Sequence, residues 1–338
     1  MATKSYMQAI NEAMAQEMER DKTVVVFGED NVGGTGSPGE MDAWGGVMGV
    51  TKGLYGKFPN QILDTPISES AFIGAAAGAA ASGLRPIAEL MFVDFMGVCF
   101  DQIYNQAAKF RYMFGGKAVT PMVIRTMYGA GIRAAAQHSQ SLYPIFTHIP
   151  GLKVVVPSNP YDAKGLMIAS IRDDDPVIFF ENKVLYTMEG DVPDEPYVVP
   201  LGEAEIVREG EDVTVVAIGR MVSMAEQAAA SLADDGIEIE IVDPRTTSPL
   251  DEETIYESVE NTGRLVVVDE ANPRCSMASD IVSLVSQNCF EHLKAAPRMV
   301  TPPHVPPPFS PTLEDLFVPD PEKVANAVRE VAGAGARA

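Results

Sequence analysis

The sequence predicts an α/β fold divided into two domains, and three observations support this. The chain has 338 residues, more than a single hydrophobic core usually contains. Short apolar runs typical of buried strands alternate with helical stretches, the pattern of parallel sheets covered by helices on both faces. A polar segment with three prolines at 187–200 indicates a linker. We therefore expect domains at 1–186 and 201–330, with a disordered tail at 331–338.

The first helix and strand are predicted from the spacing of apolar residues. Residues 4–20 carry apolar side chains at helical intervals: Met7, Ile10, Met14 and Met18. The apolar run Thr23–Phe27 is typical of a strand buried on both faces, and it ends at Gly28, Glu29 and Asp30. A Gly-rich loop follows at 31–58, with a short helix near Val50–Tyr55.

The stretch Asp64–Gly83, DTPISESAFIGAAAGAAASG, predicts an unusual helix. Because Pro66 is not tolerated inside a helix, we expect the helix to begin near Ser68, a suitable N-cap. Gly and Ala dominate its remainder, so a neighbouring backbone can approach closely. Glu69 is its only charge. A glutamate in a first turn either favours the positive helix end or, facing an apolar pocket, has a raised pKa and takes part in proton transfer.

The remaining elements of the first domain alternate in the same way, since each apolar run ends at Gly, Pro or a polar residue. Strands are predicted at Arg85–Met91, Pro121–Arg125, Leu152–Pro157 and Pro176–Glu181, and helices at Gly97–Phe114 and Tyr161–Arg172. In the second domain, strands are predicted at Val213–Ile218, Ile237–Asp243 and Leu265–Asp269, and helices at Met224–Asp234, Met277–Phe290 and Pro321–Val331. Residues 301–311 are Pro-rich.

Charge and composition exclude several functional classes. The formal net charge of −22 repels phosphate backbones and anionic lipid surfaces, and so disfavours nucleic-acid and membrane binding. No run is apolar for long enough to span a bilayer, and the N-terminus lacks a secretory or transit pattern. The three cysteines lie far apart without metal-ligand spacing, which indicates buried, reduced thiols. We therefore predict a cytoplasmic protein.

Several separated phrases resemble one protein family. The first domain contains DTPISE, GLRPIAELMFVDF, AAQHSQ and HIPGLKVVVPS, and the second contains VDPRTTSPLDEETI and RLVVVDEA. Together they resemble the β subunit of the thiamine-diphosphate-dependent component of 2-oxo-acid dehydrogenase complexes. The resemblance implies a thiamine-diphosphate-binding, transketolase-like pyrimidine domain followed by a transketolase C-terminal-like α/β domain. DAWGGVMGVTKGL and NQAAKFRYMFGGKA resemble the acetoin dehydrogenase branch more than the pyruvate branch.

The resemblance implies roles for three residues. Glu69 matches the carboxyl that hydrogen-bonds to N1′ of the cofactor's aminopyrimidine, and Phe95 matches the aromatic side chain packed on that ring. His138 matches the histidine that assists acyl transfer. Without the resemblance, Phe95 would be interpreted as a core residue. A lone histidine is more often structural, but the Gly/Ala-rich loop at a strand end places His138 better for chemistry.

The resemblance also implies a potassium site, formed mostly by backbone carbonyls. The matching positions are Met122, Ser170, Ile171, Asp173 and Asp175. Only Asp173 is expected to contribute its side chain, and the position of Asp175 often carries Asn in the family. A solvated acidic turn would produce the same sequence pattern.

The absence of one cofactor-binding sequence motif predicts partner subunits. Thiamine enzymes hold the diphosphate through Mg²⁺ with a Gly-Asp-Gly phrase, which this sequence does not contain. The resemblance therefore implies an α subunit that supplies the Mg²⁺ and diphosphate ligands in an α2β2 heterotetramer. A lipoyl-bearing dihydrolipoamide acetyltransferase is the second expected partner.

The implied reaction cleaves acetoin to acetaldehyde and acetylates a lipoyl group with the remaining two-carbon unit. The alternatives are a pyruvate dehydrogenase β subunit and a non-catalytic assembly subunit. A one-chain transketolase-like enzyme would need the missing phrase, and a Rossmann dehydrogenase would need a dinucleotide-binding Gly motif.

Overall fold

The computed structural model describes residues 2–33 and 44–333, which form two compact units. The first unit contains the chain up to Tyr128 together with Ile145–Leu201. The second contains Gly129–Pro144 and the chain from Gly202 onward. Residues 129–144, which the sequence analysis assigns to the first domain, make most of their contacts within the second unit. The disordered tail predicted at 331–338 starts too early, because the last helix extends to Gly333; residues 334–338 lie outside the described residues.

The first unit is built on a parallel sheet. Its strands are β1 Ala2–Ser5, β2 Val24–Gly28, β3 Ile62–Asp64, β4 Arg85–Phe92, β5 Val123–Tyr128, β6 Lys153–Val155, β7 Val177–Asn182 and β8 Glu189–Val192. Its helices are α1 Tyr6–Arg20, α2 Leu54–Lys57, α3 Glu69–Ala81, α4 Phe110–Met113 and α6 Pro160–Arg172; α5 Tyr143–Thr147 begins in the second unit. Six strands pair in parallel in the order β6-β7-β5-β4-β2-β3.

Both faces of this sheet are covered, because neighbouring residues of a strand point to opposite sides. Phe179 of β7 shares a hydrophobic core with Ile10 of α1 and Leu166 of α6. Phe180 packs instead against the rings of Tyr128 and Phe146, each 5.9 Å away between centroids. The prediction of a parallel sheet buried on both faces is confirmed.

Two predictions for the first unit are wrong. Residues 187–200 are not only a linker, because β8 pairs antiparallel with β1. The helix predicted at Gly97–Phe114 is broken into the 3₁₀ segment Val93–Cys99, the π-helical segment Gln102–Ala107 and α4. Tertiary contacts override helix preference here: a Cβ atom at Gly151 would lie 2.0 Å from the Ala108 carbonyl oxygen, so two backbones meet at this point.

The second unit contains a mixed sheet. Five strands form this sheet: β9 Glu205–Arg208, β10 Val213–Ala217, β11 Ile239–Asp243, β13 Leu265–Val268 and β14 Arg298–Val300; the short strand β12 Thr246–Ser248 is not part of it. Its helices are α7 Met221–Ala233, α8 Glu252–Thr262, α9 Met277–Asn288, α10 Pro311–Phe317 and α11 Pro321–Gly333. The strands pair in the order β14-β13-β10-β11-β9, and only the β11–β9 pair is antiparallel. The hydrophobic core lies between this sheet and the pair α7 and α11.

Two further expectations concern membrane-spanning segments and the state of the cysteines. Among the described residues, no helix is long and apolar enough to cross a membrane. All three cysteines are free, and Cys99 and Cys289 are buried as predicted. Cys275 is exposed, because it lies in a turn with φ of 53° just before α9.

Candidate active site

The first turn of α3 carries Glu69, which is half-buried. Ser68 is the N-cap residue as predicted, but its side chain makes no capping hydrogen bond. Its carbonyl accepts the first helical bonds from Ala71 and Phe72 instead. The Ser70 hydroxyl donates to the Val98 carbonyl at 2.6 Å, and this bond ties the first turn of α3 to the segment that carries Phe95.

A second carboxyl, Glu29, lies near Glu69 directly after β2. Its side chain is only 5% exposed, and its Oε1 atom has no hydrogen-bond partner among the described residues. Burial, together with the nearby carboxylates of Glu69 and Asp30, raises the pKa of Glu29 to about 7. Glu29 therefore keeps its proton to a higher pH than an ordinary carboxyl group does, close to Glu69. In the sequence alone, Glu29 marks only the end of a strand, and the one signal of a further role is an acidic residue directly after a buried strand.

Replacing Glu29 by Gln is expected to flatten the pH dependence of stability. The folded chain holds the Glu29 proton up to pH about 7, whereas the unfolded chain releases it near the ordinary value of 4.5. The free energy of unfolding should therefore fall as the pH rises through this window. Melting temperatures at pH 5 and pH 8 measure the effect, and the exposed Glu195 provides the control substitution Glu195→Gln. Equal pH dependence in wild type and Glu29→Gln would contradict this prediction.

Phe95 lies in the 3₁₀ segment Val93–Cys99 and is half-buried. Its ring packs edge to face on Phe92, with centroids 5.6 Å apart. Four residues later, burial and the nearby Glu69 carboxylate together raise the pKa of the Cys99 thiol to about 12. Glu69 is thus close to the segment of Phe95 in space as well as to Glu29. A half-buried aromatic ring near two carboxyls suits the binding of a flat, hydrogen-bonding heterocycle.

His138 lies in the second unit, on the segment Gly129–Pro144. It is half-buried, and its backbone N–H donates to the Ala135 carbonyl at 3.3 Å. The sequence placed this histidine in the first domain with Glu69. Its support comes instead from the C-terminal part of the chain.

The oxygens predicted to bind potassium already interact with the chain's own cations. Arg85 Nη1 donates to the carbonyls of Ile171 and Asp173, at 3.1 and 2.9 Å. Lys153 Nζ lies 2.5 Å from the Asp173 carboxylate. Arg111 pairs with Asp175, the position where the family often has Asn.

The two remaining positions are also engaged. The Met122 carbonyl accepts from the Val177 N–H at 2.9 Å, and the Ser170 carbonyl accepts from the Asp173 N–H at 3.4 Å. In the described part of the chain, no group of three or more His, Cys, Asp or Glu side chains could hold a metal ion. Potassium bound by carbonyls at these positions stays a prediction.

A buried ion cluster lies among the strands of the first unit, and sequence reasoning missed it. The Arg125 guanidinium is 2% exposed and contacts Glu89 at 2.6 Å and Glu181 at 2.7 Å. The hydroxyl of Tyr186 donates to Glu181 at 2.7 Å. Glu89 also accepts the backbone N–H of Val47, so the cluster holds the loop that precedes α2.

Comparison with known proteins shows two domain families. Residues 2–189 match the transketolase pyrimidine binding domain, and residues 202–324 match the transketolase C-terminal domain. The β subunit of acetoin:2,6-dichlorophenolindophenol oxidoreductase from Cupriavidus necator is 67% identical over 327 residues, which cover 97% of each chain. The corresponding subunit of Bacillus subtilis is 58% identical over 97% of each chain. The chain belongs to the acetoin dehydrogenase β-subunit family.

More distant relatives of this acetoin dehydrogenase β-subunit chain are β subunits of other dehydrogenases. The 2-oxoisovalerate dehydrogenase β subunit of Bacillus subtilis is 45% identical over 98% of this chain and 99% of that one. Among solved structures, a split-gene transketolase described as an inactive β4 tetramer superposes with a TM-score of 0.78. It covers 98% of this chain and 99% of that one at 22% identity, and so it supports the fold alone. The predicted transketolase-like fold of both domains is confirmed.

The family is thiamine-diphosphate-dependent, and residues of the first unit fit the pyrimidine half of that cofactor. The orphaned Oε1 atom of Glu29 and the half-buried carboxylate of Glu69 offer hydrogen-bond partners for a ring with an amino group and ring nitrogens. Phe95 offers an aromatic surface. These residues would hold the ring, and their donor and acceptor chemistry suits it.

Proposed function

We propose that this chain is the β subunit of an enzyme that cleaves acetoin and passes a two-carbon unit to a lipoyl group. The observation that carries the proposal is the difference in identity among its relatives. The acetoin-named β subunits are 67% and 58% identical, whereas the 2-oxoisovalerate and pyruvate dehydrogenase β subunits are 43–45% identical. Pyruvate is the second candidate substrate.

Glu69 and Glu29 have complementary tasks in this proposal. When bound, thiamine diphosphate supplies a nucleophilic carbon and an electron sink. Glu69 would hold a hydrogen bond at N1′ of the ring, and the raised pKa of Glu29 would keep a proton beside it up to about neutral pH. Phe95 packs on the ring and fixes its orientation. In a partly dry site such hydrogen bonds are stronger than in water, so a small number of groups is sufficient.

His138 acts in the second half of the proposed reaction. After acetaldehyde leaves, the remaining two-carbon unit is oxidised to an acetyl group while the lipoyl disulfide is reduced. One lipoyl sulfur takes the acetyl group and the other leaves as a thiolate. His138 donates a proton to that leaving sulfur, because an imidazole can act as a general acid. The product is acetyl-dihydrolipoamide on the acetyltransferase.

The proposal includes an α partner that binds Mg²⁺ and the diphosphate in an α2β2 heterotetramer. The absence of a Gly-Asp-Gly phrase supports this division of the cofactor. The outer face of α3 carries only small side chains, and a Cβ atom at Gly78 would meet nothing within 4 Å. Such a face allows another backbone to pack closely. Tyr112 and Met113 of α4, 89% and 68% exposed, offer an apolar surface of the kind found at interfaces. A cytoplasmic location remains part of the proposal.

The test is dye reduction by the chain together with its α partner, the product of a neighbouring gene that bears the Gly-Asp-Gly phrase. With thiamine diphosphate and Mg²⁺, kcat/KM for acetoin is expected to exceed that for pyruvate by roughly 10²-fold or more, because a site built for a hydroxyl leaves a carboxylate unpaired. The chain alone is expected to show no turnover. Preference for pyruvate would support the second candidate, and turnover by the chain alone would overturn the division of the cofactor.

A further inference from the structure

The segment that carries His138 adopts a backbone that needs outside support. We call residues 129–144 the His138 segment. Arg133 and Ala135 have φ values of 63° and 62°, in the left-handed region that residues with a Cβ rarely adopt. A backbone hydrogen bond from the Gly129 N–H to the Gln140 carbonyl, at 3.2 Å, joins the early and late parts of the segment. Such strain persists only where surrounding contacts enforce it.

Glu314 of α10 supplies the first of these contacts. Its side chain is completely buried. One carboxylate oxygen accepts the Gly131 N–H at 2.9 Å, and the other accepts the Arg133 N–H at 3.2 Å. The same oxygen pairs with the Arg133 guanidinium at 2.6 Å, and Asp315 binds the other end of that guanidinium at 2.6 Å. A single carboxylate therefore spans the strained turn.

Two further carboxylates follow β13 and hold the two ends of the segment. Glu270, 3% exposed, accepts the Ala130 N–H at 2.7 Å. Asp269 is fully buried and accepts the hydroxyl of Tyr143, which lies five residues after His138. Backbone N–H groups of Ala271 and Ala278 also bind Asp269, at 2.8 and 3.1 Å. The His138 segment is thus fixed before and after the histidine by side chains of the second unit.

We propose that Glu314, together with Glu270, positions His138 for acyl transfer to the lipoyl group. This inference rests on the proposed function, because it assumes that His138 acts in that step. The carboxylates do not touch the reacting atoms. They set the backbone from which the imidazole projects, and the transfer of a proton to a leaving sulfur depends steeply on that position.

The experiment uses the assembled α2β2 enzyme and compares two rates for each variant. Dye reduction with acetoin reports the steps before acyl transfer, and acetylation of a free lipoyl domain includes the transfer. In Glu314→Gln, an amide N–H₂ competes with the N–H donors of Gly131 and Arg133. We expect the ratio of the acetylation rate to the dye-reduction rate to fall by about 10²-fold, through kcat for acetylation and not through KM for the lipoyl domain.

Three further variants make every outcome decisive. Asp251→Asn is the matched control, because Asp251 caps α8 through the Thr254 N–H and does not touch the segment. It should lower the melting temperature and leave the ratio of rates unchanged. Glu270→Gln weakens the hydrogen bond to the Ala130 N–H and should also lower the ratio of rates. If Glu314→Gln fails to fold, this variant tests the positioning inference in its place. His138→Ala shows how far the ratio of rates falls when the imidazole is removed completely.

The outcomes separate this inference from the function on which it rests. If His138→Ala leaves acetylation unchanged, the proposed role of His138 fails and the positioning inference falls with it. If His138→Ala abolishes acetylation while Glu314→Gln and Glu270→Gln keep the wild-type ratio, only the positioning inference is overturned. A parallel loss of both rates in the carboxylate variants would also overturn it, since that result indicates general structural damage.

Discussion

Replacing Glu69 by Gln is expected to lower the rate of acetoin-dependent dye reduction by roughly 10²–10⁴-fold, the usual contribution of a proton relay. The substituted amide cannot take part in proton transfer with the ring nitrogen, although it has nearly the same shape. The fold should persist, because Glu69 is half-buried and caps no other group in the described contacts. Steady-state dye reduction by the assembled enzyme, saturated with cofactor, measures the loss.

A control separates catalysis from simple helix electrostatics. Glu322 is exposed in the first turn of α11, so Glu322→Gln removes the same kind of interaction with a helix end. That interaction contributes about 0.3–1 kcal/mol to stability and nothing to turnover. If Glu69→Gln behaved like Glu322→Gln, with a small stability change and near-normal activity, Glu69 would have no catalytic role.

Replacing Arg125 by Met is expected to destabilise the first unit by about 3–5 kcal/mol. The substitution leaves Glu89 and Glu181 buried without their counter-charge, and burial already raises the pKa of Glu89. Urea denaturation measures the loss. Hydrogen exchange of the backbone amides in β4, β5 and β7 is used as the readout, because it reports on the first unit separately from the second.

The matched control for this prediction is an exposed arginine. Arg298 pairs with Glu330 at 2.9 Å, with side chains 44% and 57% exposed. Arg298→Met should therefore change the free energy of unfolding by no more than about 1 kcal/mol. A comparable loss in both variants would show that the cluster around Arg125 contributes no more than a surface ion pair.

The sequence predicts the central strands well because strands buried on both faces are continuous apolar runs. Val213–Ala217 and Leu265–Val268 lie where expected. Edge elements were missed: β1 and β14 are short, and at least one residue of each is exposed. The helix α10 was hidden by the prolines at 301–311, although Pro311 is a favourable first helical residue.

The candidate site is predictable only in part, because its members are brought together by pairing across the sheet. Glu69 and Phe95 were identified from phrases that resemble a family. Glu29 became visible only when the parallel pairing of β2 with β3 and β4 placed its strand end near α3. Arg125 looked like an ordinary polar end to a strand. Its partners Glu89 and Glu181 are distant in sequence and meet it only through the β4–β5–β7 register.

The compact unit that contains Gly129–Pro144 matters for protein engineering. Consider a chimaera that joins the first 186 residues of one subunit to the remainder of a homologue. It would take His138 from one parent, and the carboxylates of Glu270 and Glu314 that bind residues 129–144 from the other. A graft of the C-terminal domain should therefore carry residues 129–144 along with it, as a second, non-contiguous exchange. Directed evolution of acceptor specificity could for the same reason begin in α10, a helix remote in sequence from the histidine that it supports.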